Sequence, residues 1–280
     1  MALLTIDRKQ LERAATLETD RQLIRYIRDT LGPVLPRLPA QPELIGPFVQ
    51  KAGREAIESG YGDGGQYSFH ILTSLLLGSS WEHHSFYTGR FEKYLDTPGM
   101  EQSARITLAL GAVIDARQAL EAVLPRLIDA AVESLGIYPE RFKPEDIWNT
   151  FQHMAHARGF QPRQVLPLFE HFEAGFRKGN GLPPIRREKL AGHVEVGYIA
   201  QGIPLPKPSD AIRDLNSLQL MNFNGSLLLA LIYGPAFTYN LFFNGLLQTL
   251  DSTNQPDVYQ HELKEFLLSH RRALSENTDE

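Results

Sequence analysis

Cysteine is missing from all 280 residues. That absence removes disulfides, thiolate zinc fingers, iron–sulfur clusters, thiolate-ligated or covalently attached haem, and cysteine nucleophiles, because each needs a sulfur atom the chain does not have. Any metal or haem iron would have to rest on histidine or oxygen. A basic surplus is missing too: 28 Lys and Arg face 33 Asp and Glu, a formal charge of −5. With no excess of cations to neutralise phosphates, the balance argues against a non-specific nucleic-acid surface. It leaves room for a small anion held by a few local arginines.

Several catalytic signatures are absent as well. No serine sits in G-x-S-x-G and no H-E-x-x-H occurs, so hydrolase and zinc-peptidase readings have no local support. The "GYGDGG" run at 60–65 lacks the Lys-Ser/Thr pair and the pattern of a phosphate loop, and reads as a turn or the rim of an active site. The start, "MALLTIDRKQ", meets charge after six residues and has no signal-peptide core, so a cytoplasmic location is the default expectation.

Charge is absent from Leu215 to Leu250, and the run at 225–247 is long enough to span a bilayer. Gly234 and Pro235 interrupt it, and Asn240 and Asn244 would carry costly amides into hydrocarbon. A buried helix pair or cavity wall is expected instead of a membrane span.

What is present is helical. With 42% hydrophobic residues the chain can bury a sizeable core. Helical spacing is read over 5–30, 45–59, 66–95, 101–135, 146–157, 164–177 and 185–200, with Pro125 kinking or dividing the fourth of these. In that fourth segment Ile106, Leu110, Val113, Ile114, Ala116, Leu120 and Leu124 form the expected apolar stripe. Proline- and glycine-rich stretches at 32–43, 178–184 and 201–210 separate the helices. No βαβ alternation or repeat period appears. The expected class is mainly alpha, one large helical domain over 1–274 with glycine- and proline-rich loops, and a flexible tail at 275–280.

Nine histidines are the candidate chemistry. His153 and His156 are three apart and can share a helix face, where zinc or iron would need a carboxylate as well. His171 is expected to be partly buried in packing, and His261 and His270 to face solvent. His70, among aromatics, faces a pocket or satisfies a buried carbonyl. His83 and His84 in "SSWEHHSFYTGRF" point apart if helical, and a single imidazole beside an aromatic guest can exchange a proton near neutral pH. His193 lies between Gly192 and Gly197, which allow a flat group to approach the backbone. It can ligate iron, and Arg186 and Arg187 can meet carboxylates. In the charge-free region Phe223 can wall an aromatic cavity, with Asn222 or Asn224 orienting a polar edge.

On His84 within "EHHSFYTG" and His193 within "AGHVEVG", 109 residues apart, the chain resembles the histidine-ligated haem-dependent aromatic oxygenases. That superfamily includes tryptophan dioxygenase and the bacterial tyrosine hydroxylases, and the hydroxylase branch is the nearer likeness. The resemblance implies a tryptophan-dioxygenase-like helical fold and haem b held by His193. His84, with His83 competing for the place, would lie on the opposite face. It implies ring hydroxylation of an aromatic amino acid such as tyrosine, with peroxide or O2 as oxidant, in natural-product biosynthesis. Phe86 and Tyr87 would then line the substrate site, and Arg90, chosen from local charge, would hold the substrate carboxylate. Two other readings stand beside it: a helical non-haem iron oxygenase, and a non-catalytic aromatic-ligand carrier or interaction protein. Homodimerisation is left open.

Overall fold

The computed structural model describes residues 8–31, 39–83, 86–87, 90–185, 196–197, 200–201 and 207–276. Among them the regular structure is entirely helical. The helices are α1 (Arg8–Thr30), α2 (Ile45–Glu58), α3 (Gly64–Leu77), α4 (Glu92–Leu95), α5 (Gln102–Glu121) and α6 (Leu124–Ser134). They continue with α7 (Pro144–Ala157), α8 (Pro162–Gly179), α9 (Ser217–Tyr233), α10 (Asn244–Asp251) and α11 (Pro256–Glu276). No helix of the described residues is long and apolar enough to cross a membrane. The charge-free stretch is divided instead, because α9 stops at Tyr233 and short 3₁₀ turns at Phe237–Tyr239 and Leu241–Phe243 follow.

Proline and paired polar side chains start several of these helices. Pro125 lies in the first turn of α6, so it divides the 101–135 segment, since a proline without an N–H is tolerated where no helical donor is needed. Pro144 and Pro162 open α7 and α8. The N–H groups just before them donate to Asp146 at 2.9 Å and to Gln164 at 2.8 Å. Asn216 and Gln219 cap each other's backbone N–H groups at 2.9 and 3.0 Å at the head of α9.

The contacts divide the chain into two compact bodies. The first comprises residues 1–122, 233–248 and 269–280, the second 123–232 and 249–268. In the first, α2 packs on α1 and α3, and α5 packs on α3 and α4. Its core joins Phe69, Leu77, Trp81, Tyr87, Phe91 and Leu95 to Ala109, Val113 and Ala116 of α5. Phe48 stacks on Phe242 with ring centres 5.0 Å apart, and the buried hydroxyl of Tyr67 donates to Asp20 at 2.7 Å.

The second body is built on α6, α7 and α8 with the turn at Pro208–Ile212. Phe169 meets Trp148, Phe151 and Phe223 edge-on at 5.2 to 5.7 Å. The buried guanidinium of Arg177 donates to Glu173, to Asp214 at 2.5 and 3.0 Å, and to the carbonyls of Ala211 at 2.6 Å and Pro183 at 3.2 Å. One side chain thus ties the loop after α8 and the 208–214 turn back to the helix. A planar fork with five donors can satisfy that many acceptors where a lysine cannot.

Candidate functional site

α2 ends in a turn that requires glycine. The N–H of Tyr61 donates to the Ala56 carbonyl at 2.7 Å and that of Gly60 to Ile57 at 3.2 Å. This crossed closure puts the residue after the cap in the left-handed region, and Gly60 has φ 84°. The turn brings the Tyr61 ring to 5.2 Å from His70 and 5.9 Å from Trp81. It leaves Glu55, Glu58 and Ser59 together at the same helix end.

α3 ends at Leu77, and the helical reading of 66–95 is corrected there. Gly78 has φ 103° and Ser80 φ 56°. A β-carbon added to Gly78 would lie 3.3 Å from the Tyr233 carbonyl oxygen, so that position is closed to side chains both conformationally and by contact. The reversal carries Glu82 back to α3, where its Oε1 lies 2.9 Å from Nε2 of His70. His70 is only 1% exposed.

Around this pair lies a pocket of about 200 Å³ lined by Glu55, Glu58, Ser59, His70, Ser80, Glu82 and Tyr239. Burial acts to raise the Glu82 carboxyl. The hydrogen bond from His70, aided by the residue's own backbone N–H, the His70 charge and Ser59, outweighs burial and holds the carboxyl below its usual value of 4.5. With Nε2 turned to Glu82, the other ring nitrogen of His70 has no hydrogen-bond partner among the described residues. A carboxylate that fixes one imidazole nitrogen orients the ring and leaves the other to meet a further polar group. Beside the pocket, Lys51 Nζ donates to the Tyr239 carbonyl and lies 3.7 Å from the Glu55 carboxylate.

The sequence candidates fall elsewhere. His84, His193, Arg186 and Arg187 lie outside the described residues, as does the side chain of His83. Arg90 is exposed, and Phe86 is half-buried. Tyr87 is buried, 5.8 Å from the Phe91 ring and 6.2 Å from that of Phe86. These belong to the first body, whereas Asn222, Phe223 and Asn224 belong to the second. There Phe223 packs against Phe169 and Phe176, and the Asn224 amide donates to Ser134 at 3.5 Å. Of the remaining histidines, His153, His156 and His261 are exposed. So is His171, against the expectation of partial burial. His270, expected in solvent, is instead buried and 2.6 Å from the Tyr233 hydroxyl.

The expectation of haem b, iron or any other metal-binding centre is corrected. Among the described residues no three His, Asp or Glu side chains converge to hold a metal ion, and the chain has no cysteine. His153 and His156 share α7 without a carboxylate set to complete them. The non-haem iron reading falls on the same ground. Glu82 is the residue that sequence reasoning missed, although it sits in the stretch that drew attention to His83 and His84. Its one signal was the neighbouring glycine-serine turn, which permits the chain to double back.

Comparison with known protein families, with curated proteins and with solved structures finds no match to this chain.

Proposed function

We propose that this chain is a small-molecule-binding protein whose ligand enters the pocket around His70 and Glu82, where the pair exchanges a proton with it. The observation that carries this reading is the pairing itself. A histidine 1% exposed is bonded at 2.9 Å to a glutamate on the wall of a polar pocket. Burying two polar groups, one on α3 and one on the turn that follows it, costs desolvation that a purely apolar core would avoid. Pockets that bind ligands characteristically place a few convergent polar groups in this way. Of the readings raised by the sequence, the ligand carrier is retained in altered form. Its guest is polar, not aromatic, because carboxylates, hydroxyls and one imidazole dominate the wall.

The test is a fragment screen by NMR on the full chain with its histidine rings isotope-labelled. Fragments are expected that shift the His70 ring signals saturably, with weaker effects in Glu82→Gln. A folded protein in which every bound fragment leaves His70 unmoved would overturn the reading.

A further inference from the structure

We infer that the ligand of the His70–Glu82 pocket is a compact organic cation, a primary or substituted ammonium group on a short carbon frame. This deepens the binding reading above and rests on it. Three carboxylates, Glu55, Glu58 and Glu82, line one pocket. Two have partners: Lys51 lies 3.7 Å from Glu55, and His70 bonds Glu82 at 2.9 Å. Glu58 has no ion-pair partner among the described residues. Three carboxylates against Lys51 and His70 leave the pocket with an excess of negative charge even when the imidazole is counted as a cation, and an external cation would offset it.

Two further features select an ammonium. The pocket edge already receives one, since Lys51 Nζ bridges the Glu55 carboxylate and the Tyr239 carbonyl. Tyr239 lines the same pocket and is 65% exposed, so its ring is accessible to a cation bound there. Two of the carboxylates, Glu55 and Glu58, also lie in the last turn of α2, where the helix dipole already favours positive charge. An external cation would relieve that repulsion. His70, nearly fully buried with one ring nitrogen unpartnered, adds a hydrogen-bonding partner for a second polar group of the ligand. At about 200 Å³ the space is below the ~300–1,000 Å³ of drug-sized sites, which sets the small frame.

The experiment titrates n-butylamine, 1-butanol and butyrate separately into the full chain at constant ionic strength and neutral pH, reading the His70 ring signals by NMR. The amine, cationic at that pH, is expected to shift them saturably, while the alcohol and the acid do not at equal concentration. Glu58→Gln, at an exposed position that spares the fold, is expected to weaken the amine about tenfold, the loss of one charge-assisted hydrogen bond. Tyr239→Leu is expected to weaken it further. Equal or tighter binding of the alcohol or the acid at His70 would overturn the cation class while leaving the pocket as a ligand site. An amine affinity indifferent to Glu58→Gln would overturn it as well. Silence of all three probes, with fragments still shifting His70, rejects the cation alone; silence of fragments too rejects the site.

Discussion

Arg117 of α5 donates its guanidinium to the carbonyl of Leu76 in the last turn of α3 at 3.2 Å, while its Nε bonds Glu121 at 2.7 Å. Carbonyls at a helix end have no intrahelical partner, and here a side chain from a neighbouring helix supplies one. The residue is 9% exposed, so its charge lies largely out of water. Because α3 hands over directly to the turn that carries Ser80 and Glu82, this contact fixes the point from which the pocket wall departs.

Arg117→Lys tests that contact. A single ammonium cannot reach the carbonyl and the carboxylate with the geometry of a planar fork. The expected loss is about 1–3 kcal/mol, the range for hydrogen bonds to charged groups. Urea unfolding should show a lower midpoint at unchanged slope. An unchanged midpoint would mean that the Leu76 carbonyl finds other satisfaction.

Acid should remove the contribution of the His70–Glu82 pair. The Glu82 carboxyl is held below its usual 4.5 in the folded protein, so its contribution is fully present above the unfolded value. It is lost as pH falls through the lower folded value. The stability difference between wild type and Glu82→Gln is therefore expected to shrink as pH falls below the usual carboxyl value of 4.5, approaching its limit under acid. Unfolding midpoints measured at successive pH values check the sign. A difference that grows on acidification would contradict the assigned pairing.

The extent to which this architecture was readable can be judged from particular residues. The 45–59 segment is a helix because its apolar spacing matches one buried face, and Ile45, Phe48, Val49, Ala52 and Ala56 are all buried. The stripe expected on α5 is partly rotated: Ile114 is 42% exposed, while Ala109 and Arg117 are buried. Periodicity ranks residues by apolarity and cannot foresee that a charged side chain will be drawn inward to serve a neighbouring helix end. The break after Leu77 is marked by Gly78, yet the aromatic residues beyond it keep a helical spacing that hides it. The His70–Glu82 pair spans a helix end, a reversal and twelve positions, and no local rule links such residues. His270 looked solvent-facing among charges, but a tyrosine 37 residues away holds it. Local chemistry wrote the helices; the site was written by side chains crossing between them.

In the second body, Arg177 offers a test of buried charge. Arg177→Met leaves Glu173, itself 4% exposed, without its nearest cation. Burial already pushes the Glu173 carboxyl above its usual value despite the arginine. Breaking a buried pair in this way costs about 3–5 kcal/mol, whereas replacing both members with apolar groups is often near neutral. Thermal unfolding is expected to show a large drop for Arg177→Met and substantial recovery in Arg177→Met/Glu173→Leu. The recovery should be incomplete, because the Ala211 and Pro183 carbonyls lose their donor in both variants. A double variant no better than the single one would assign the cost to those carbonyls and not to the charge left behind.

Gly53 and Tyr67 should be coupled. A β-carbon built on Gly53 would collide with the Tyr67 hydroxyl, and that hydroxyl is held by Asp20 at 2.7 Å. The ring cannot swing away without surrendering the bond, and Tyr67 is 5% exposed, so there is little free space to receive it. Gly53→Ala is therefore expected to destabilise by about 1–3 kcal/mol, the usual range for overpacking. That holds even though alanine is the better helix former by about 1 kcal/mol. Tyr67→Phe alone removes the hydrogen bond and leaves Asp20 without that donor. In Gly53→Ala/Tyr67→Phe the colliding oxygen is gone, so the alanine should cost less than it does in the wild-type background. A double-mutant cycle measures the difference directly, and residues in contact typically couple by about 0.5–3 kcal/mol. Strict additivity would show that α2 and α3 separate enough to admit the methyl group, and that the close approach of the two helices is not held by the Asp20–Tyr67 bond.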